Sequence, residues 1–298
     1  MANVGTRRGS SWQAATAWLF VAPFLVIFLV FTAIPALVAL VYSFTDMGVA
    51  DIRHPLEVDF TFLDTFARVL TNAGFLKSLW TTGIFIVIGV PLTMAIGLVL
   101  ALALNSGIRR LRAVYRSAFY LPVITNIVAA AVIWQYAFTL KGPVNTFLGS
   151  LGLLGPNWLG DPNMAIGTVI LLTTWRNVGT CMVLFLAGLQ AIPEDVYEAA
   201  AIDGASTWRR FLSMTLPLLK PATVLVSVLM TVSYMNIFDE PYLLTKGGPL
   251  SATKSVALWV YEQFGHGNIA AAMAGSYVML AIVVLLGILQ LRLLRAWR

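Results

Sequence analysis

The chain has 298 residues, 59% of them hydrophobic and 11% charged, with mean hydropathy +0.85 and formal net charge +6. A soluble domain is usually about 45–50% apolar and about 25% charged, so one globular core cannot absorb this much apolar surface and a bilayer is the sink. The lone cysteine, Cys181, sits in an apolar run; it excludes an intrachain disulfide and fits a small buried residue.

Arg7 and Arg8 precede the first apolar segment. A spanning helix needs about 20 mostly apolar residues. Six segments reach or approach that length: 17–42, 79–104, 119–140, 164–189, 222–238 and 269–291. The first is too long for the core of a cleaved signal peptide and is expected to remain as an anchor behind a tail over 1–16. Residues 43–77 are a long polar connection, and 141–163 are rich in Gly, Pro and Asn and predict turns. Pro35, Pro91 and Pro122 mark kinks or bent entries. The fifth segment is short, and irregular backbone beside it is tolerated where protein shields it from lipid.

Charge placement sets the orientation. The tail, the second and fourth connections and the C-terminus hold 12 basic residues (Arg7, Arg8, Arg109, Arg110, Arg112, Arg116, Arg209, Arg210, Lys220, Arg292, Arg295, Arg298) against four acids. The opposite side holds six basic residues against nine acids. Both termini are therefore expected in the cytoplasm. Juxtamembrane arginines facing an anionic leaflet account for the positive charge without nucleic acid.

The fourth connection, 190–221, is the most informative stretch. Pro193 suits a first helical turn, and Glu194 and Asp195 complement the positive helix end. Ala199, Ala200 and Ala201 leave a nearly bare face, and Gly204 suits a left-handed stop. Ser206 or Thr207 can cap a second short helix carrying Trp208, Arg209, Arg210 and Phe211, with Pro217 and Pro221 beyond it. A helix–turn–helix knob that docks on a partner and an amphipathic hairpin lying on lipid both fit these residues.

Glu198-Ala199-Ala200, Gly204 and Leu216-Pro217, at this spacing, resemble the EAA loop of binding-protein-dependent ABC importer permeases, with Met214 where that pattern has Ile. Phe238-Asp239-Glu240-Pro241-Tyr242 through Gly247-Gly248-Pro249, then Thr253, is similar to the outer stretch after the fifth core span of maltose and glycerol-3-phosphate permeases of the first-permease type. The resemblance covers nearly the whole chain from the first span and fits the shorter, six-span form. It implies an all-α membrane protein of six transmembrane helices over 17–298, with 190–221 as a cytoplasmic helix–turn–helix coupling loop. It implies a second permease subunit as heterodimer partner, a pair of ATPase subunits holding ATP and Mg, and an extracytoplasmic solute-binding protein in a bacterial inner membrane. Glu198, Ala199, Ala200, Asp203, Gly204, Trp208, Arg209, Leu216 and Pro217 would then form the ATPase contact.

Thr173, Asn177 and Thr180 share one face of the fourth span, and Met230, Ser233, Tyr234 and Ile237 share one face of the fifth. Polar groups at that depth face the bundle or a watery cavity, and hydroxyls, amides and an aromatic face suit a sugar or polyol. In the sugar permeases it resembles, these stretches line the solute site; hydroxyls bonding across helices is the plainer alternative. Arg176 either binds an anionic solute group or pairs with an acid, and pairing is favoured. Asp239 and Glu240 fall at the outer mouth, and His54 and His266 are isolated surface residues. The chain has no G-x-x-x-x-G-K-[ST] phosphate loop, no H-E-x-x-H, no clustered His/Cys metal set and no G-x-S-x-G. No cofactor or metal is expected on this chain, and ATP must be bound elsewhere. A secondary transporter or channel for small polar solutes is the competing reading, weakened because Arg176 is the only clear midplane charge. A membrane-embedded enzyme is weaker still.

Overall fold

The computed structural model describes residues 11–106 and 112–295. Most of the expected tail lies outside them, as do Arg7, Arg8, Arg109, Arg110 and Arg298. Among the described residues the chain is helical, and the only strand-like pairing is an isolated antiparallel bridge between Thr45 and Phe60.

Four helices are long and apolar enough to cross a membrane: α1, with its span over Thr16–Tyr42; α3, Ala73–Asn105; α7, Pro162–Gln190; and α13, Ile269–Arg295. Between α1 and α3 runs a short helix, α2, Asp64–Thr71. Among the described residues two bent pairs, each taken as one span, bring the number up to six. The first joins α4, Arg112–Ile124, to α5, Ile127–Ala137, across a bend of 93°. The second joins α9, Thr207–Leu218, to α10, Lys220–Met235, across 65°. The remaining helices are α6, Pro143–Ser150; α8, Glu194–Ile202; α11, Asp239–Thr245; and α12, Val256–Gly265.

The kink expected at Pro122 is a break in the third segment: Pro122 removes an amide from the end of α4, and the Asn126 side chain accepts from Val128 and Ala129 N–H, starting a new helix. Two departures from the sequence expectation have local causes. The second span begins at Ala73 rather than 79, because Asn72 caps it by accepting from Phe75 N–H. The connection over 141–163 carries α6, closed by Asn145, whose side chain bonds the Leu140 and Pro156 carbonyls and accepts from Trp158 Nε1.

α7 is the central span. Of its most apolar stretch 61% is buried, against none of α1's. In lipid the hydrophobic effect does not join helices to one another; close packing and hydrogen bonds do. α3 lies along α7, with Ala101, Leu104, Leu172, Cys181 and Met182 fully enclosed. α10 closes against both through Tyr234, whose ring packs on Gly89, where α3 widens into a π-helical turn over Phe85–Gly89. A Cβ at Gly89 would collide with that ring. Gly89→Val is therefore expected to destabilise the protein by about 1–3 kcal/mol through overpacking, measured as a lower melting temperature in detergent. An unchanged value would show that the ring is free to move.

Candidate functional site

Tyr234 ties three spans together. Its hydroxyl lies 2.8 Å from Thr93 Oγ1 of α3 and 3.0 Å from Thr174 Oγ1 of α7, and Thr93 donates to Thr174 at 3.2 Å. All three side chains are buried. Neither threonine was singled out in the sequence, although a hydroxyl inside an otherwise apolar run is itself a signal.

The residues expected to face a solute separate into two sets. Thr173, Met230, Tyr234 and Ile237 are buried, and Thr173 Oγ1 donates to the Val169 carbonyl of its own helix. Asn177, Thr180 and Ser233 are half-buried. Asn177 Nδ2 donates to the Thr173 carbonyl at 2.9 Å, and its Oδ1 accepts from Ser233 Oγ at 3.3 Å, joining α7 to α10. Helical periodicity placed these residues on faces; which part of each face the neighbouring spans cover depends on tertiary packing.

Arg176, the residue before Asn177, makes the favoured pairing. Its Nη1 lies 2.9 Å from Glu240 Oε1 and 3.8 Å from Asp239 Oδ2, bridging α7 to α11. Glu240 is 4% exposed, so its negative charge depends on that partner. Burial pushes the Glu240 carboxyl above its ordinary value, and a backbone hydrogen bond and Arg176 pull it partly back. Gln135 of α5 holds the other end of α11, donating to the Leu243 and Leu244 carbonyls at 2.6 and 3.2 Å. The following turn is closed by Thr253, which bonds Thr245 Oγ1 at 2.6 Å and the Gly248 carbonyl at 2.8 Å. The Phe238–Pro249 motif is thus fastened between α5 and α7, and Glu240 is a helix-end contact rather than a solvated acid.

The connection over 190–221 folds as two helices joined at Gly204, which has φ +72°. Ser206 caps the second by accepting from Arg209 N–H. Ala200 is buried and Tyr197 half-buried, and the Tyr197 hydroxyl lies 3.2 Å from Thr215 Oγ1. Glu198, Ala199, Asp203, Gly204, Trp208, Arg209 and Pro217 are exposed, and Leu216 is half-buried. Ile202, with 86% of its surface exposed, extends the bare apolar strip.

A central span flanked by bent apolar helices defines a multi-pass helical membrane protein. Residues 93–298 match the family described as binding-protein-dependent transport system inner membrane component, and the chain belongs to that family. It is 34% identical over 280 residues to the lactose transport system permease protein of Rhizobium radiobacter, covering 92% of each chain. It is 34% identical over 281 residues to the trehalose/maltose transport system permease protein of Thermococcus litoralis, covering 94% of each. Its fold is similar to that of a chain in a bacterial transporter that imports the acidic polysaccharide alginate, with TM-score 0.72 at 20% identity over 96% of this chain and 98% of that one. These relatives place it among the maltose-type sugar permeases, as the loop and outer motifs implied.

Arg176→Ala is expected to cost about 3–5 kcal/mol by leaving Glu240 buried without its partner. Adding Glu240→Gln should recover most of that loss in a detergent melting series. A carboxyl whose value is raised by folding holds its proton more tightly in the folded state. Its contribution is full below the unfolded value and lost as pH rises through the raised one, so the Arg176→Ala protein should melt higher at pH 5 than at pH 8. A flat pH profile with no recovery in the double variant would show that Glu240 does not depend on Arg176.

Proposed function

We propose that this chain forms half of the translocation pathway of an ATP-driven importer for a carbohydrate or related polyol. It pairs with a second permease subunit, receives solute from an extracytoplasmic binding protein and is driven by two ATPase subunits that hold ATP and Mg. Both termini and the 190–221 loop lie on the cytoplasmic side, where the basic residues gather.

The observation that carries this reading is the knob at Gly204. α8 presents Glu198, Ala199, Ile202 and Asp203 outward, Ala200 and Tyr197 anchor its inner flank, and Ser206 caps the helix that follows. A small, stiff surface with a bare strip and two acids is suited to a cleft in a partner protein. A hairpin lying flat on lipid would set Glu198 and Asp203, which flank the exposed Ile202, against an anionic leaflet. Glu198→Arg and Gly204→Val are expected to reduce recovery of the ATPase with this chain at least about tenfold, as expected when a charge is reversed or a turn strained at a contact. Coupled transport should fall with it while both proteins still insert. Normal ATPase recovery in both variants would remove the docking assignment.

For the solute, the path runs past Asn177, Thr180 and Ser233, with Thr173, Met230, Tyr234 and Ile237 packed behind them. The Asn177 amide and Ser233 hydroxyl suit the hydroxyls of a sugar. Asn177→Ala and Ser233→Ala should each lower transport by about tenfold while the binding protein's own affinity stays fixed, the scale of one lost hydrogen bond. Transport unchanged in both would place the path elsewhere. The name of the lactose permease of R. radiobacter, together with that of the trehalose/maltose permease of T. litoralis, supports a sugar as cargo.

A further inference from the structure

The inner flank of the knob does not close onto the spans. Between α8 and α9 on one side and the ends of α3 and α7 on the other, the structure leaves a cavity of about 770 Å³. Ordinary ligand pockets occupy about 300–1,000 Å³. Val99 and Leu102 of α3, Leu189 of α7 and Phe211 of α9 make its walls largely apolar. The lining contains one acid, Glu194 at the start of α8, and one base, Arg210 of α9. No ion pair joins them. Arg210 Nε is buried and has no hydrogen-bond partner, and Nη2 reaches the Thr207 hydroxyl at 3.5 Å. A buried guanidinium N–H with nothing to bond is costly to the fold and calls for an acceptor from outside the chain. Trp208, also on the lining, is exposed, and tryptophan favours the membrane–water boundary.

Building on the cytoplasmic placement of the knob, we propose that this groove holds one phospholipid whose headgroup carries both a phosphate and a primary ammonium. The phosphate meets Arg210, the ammonium meets Glu194, and an acyl chain lies along Val99, Leu102, Leu189 and Phe211. A guanidinium fork matches phosphate oxygens, and an ammonium offers three donors to a carboxylate. An anion alone would leave Glu194 facing like charge. A choline headgroup has no N–H to donate. A ligand without a chain would leave the apolar walls wet. Set between the knob and the spans, the lipid stiffens the link through which knob movement reaches α3 and α7.

The test uses the complete transporter, purified in mild detergent and examined by native mass spectrometry after exposure to dioleoyl phosphatidylethanolamine, phosphatidylcholine, phosphatidylglycerol or millimolar inorganic phosphate. One phosphatidylethanolamine per copy of this chain is expected, retained about tenfold better than the other two lipids and not displaced by phosphate. Arg210→Gln should lose the lipid, and Glu194→Gln should erase the preference over phosphatidylglycerol. Val99→Trp fills the groove without touching either charge and should also lose the lipid, which covers the case of an Arg210 variant that fails to assemble. Equal retention of all three lipids, retention by Val99→Trp, displacement by free phosphate, or a cross-link placing a partner subunit's segment in the groove would each overturn the proposal. The same spectra report ATPase subunits. Lipid retained without ATPase would sink the importer reading alone, and ATPase bound without lipid would sink this one alone.

Discussion

The structure depends on a hydroxyl knot where three spans meet. Thr93, Thr174 and Tyr234 satisfy one another at 2.8–3.2 Å inside an apolar bundle. Hydrocarbon offers no water to a stray hydroxyl, so such a group either finds a partner on another helix or disfavours its position. That requirement fixes the rotation of α10 against α3 and α7. It directs Ser233 toward Asn177 and turns Met230 and Ile237 into the core. The half-buried amide and hydroxyl assigned to the solute are where they are because Tyr234 is used elsewhere.

A second constraint acts at the outer end. Arg176 and Glu240 are each poorly placed alone, one within a spanning helix and the other buried at the start of a short one. Together they join α7 to α11, and Gln135 joins α11 to α5 through two carbonyls. The stretch after the fifth span is therefore held by charge and hydrogen bonds as well as by apolar area.

The number and order of spans were legible in the sequence because hydropathy alone specifies them, and the loop at Gly204 was legible because caps and a left-handed turn are local chemistry. The 93° bend was only half legible. Pro122 signalled a disturbance, and Asn126, whose cap on Val128 and Ala129 is just as local, was passed over inside the apolar run; the size of the bend depends on how α4 and α5 pack on other spans. Within the candidate site, Asn177 and Ser233 were found by period, whereas Thr93, Thr174 and Gln135 were not. Their importance lies in what they touch 60 to 141 residues away along the chain, and no local pattern encodes that separation.

The bend between α4 and α5 also bears on how the protein enters its membrane. α4 has 13 residues and α5 has 11. At about 1.5 Å per residue they are roughly 20 Å and 17 Å long, and neither alone crosses a hydrocarbon layer of about 30 Å. During synthesis this pair has no stable resting place in lipid as separate helices. α4 packs along α7, so the bent pair gains its principal support only from the central span that follows it in the chain.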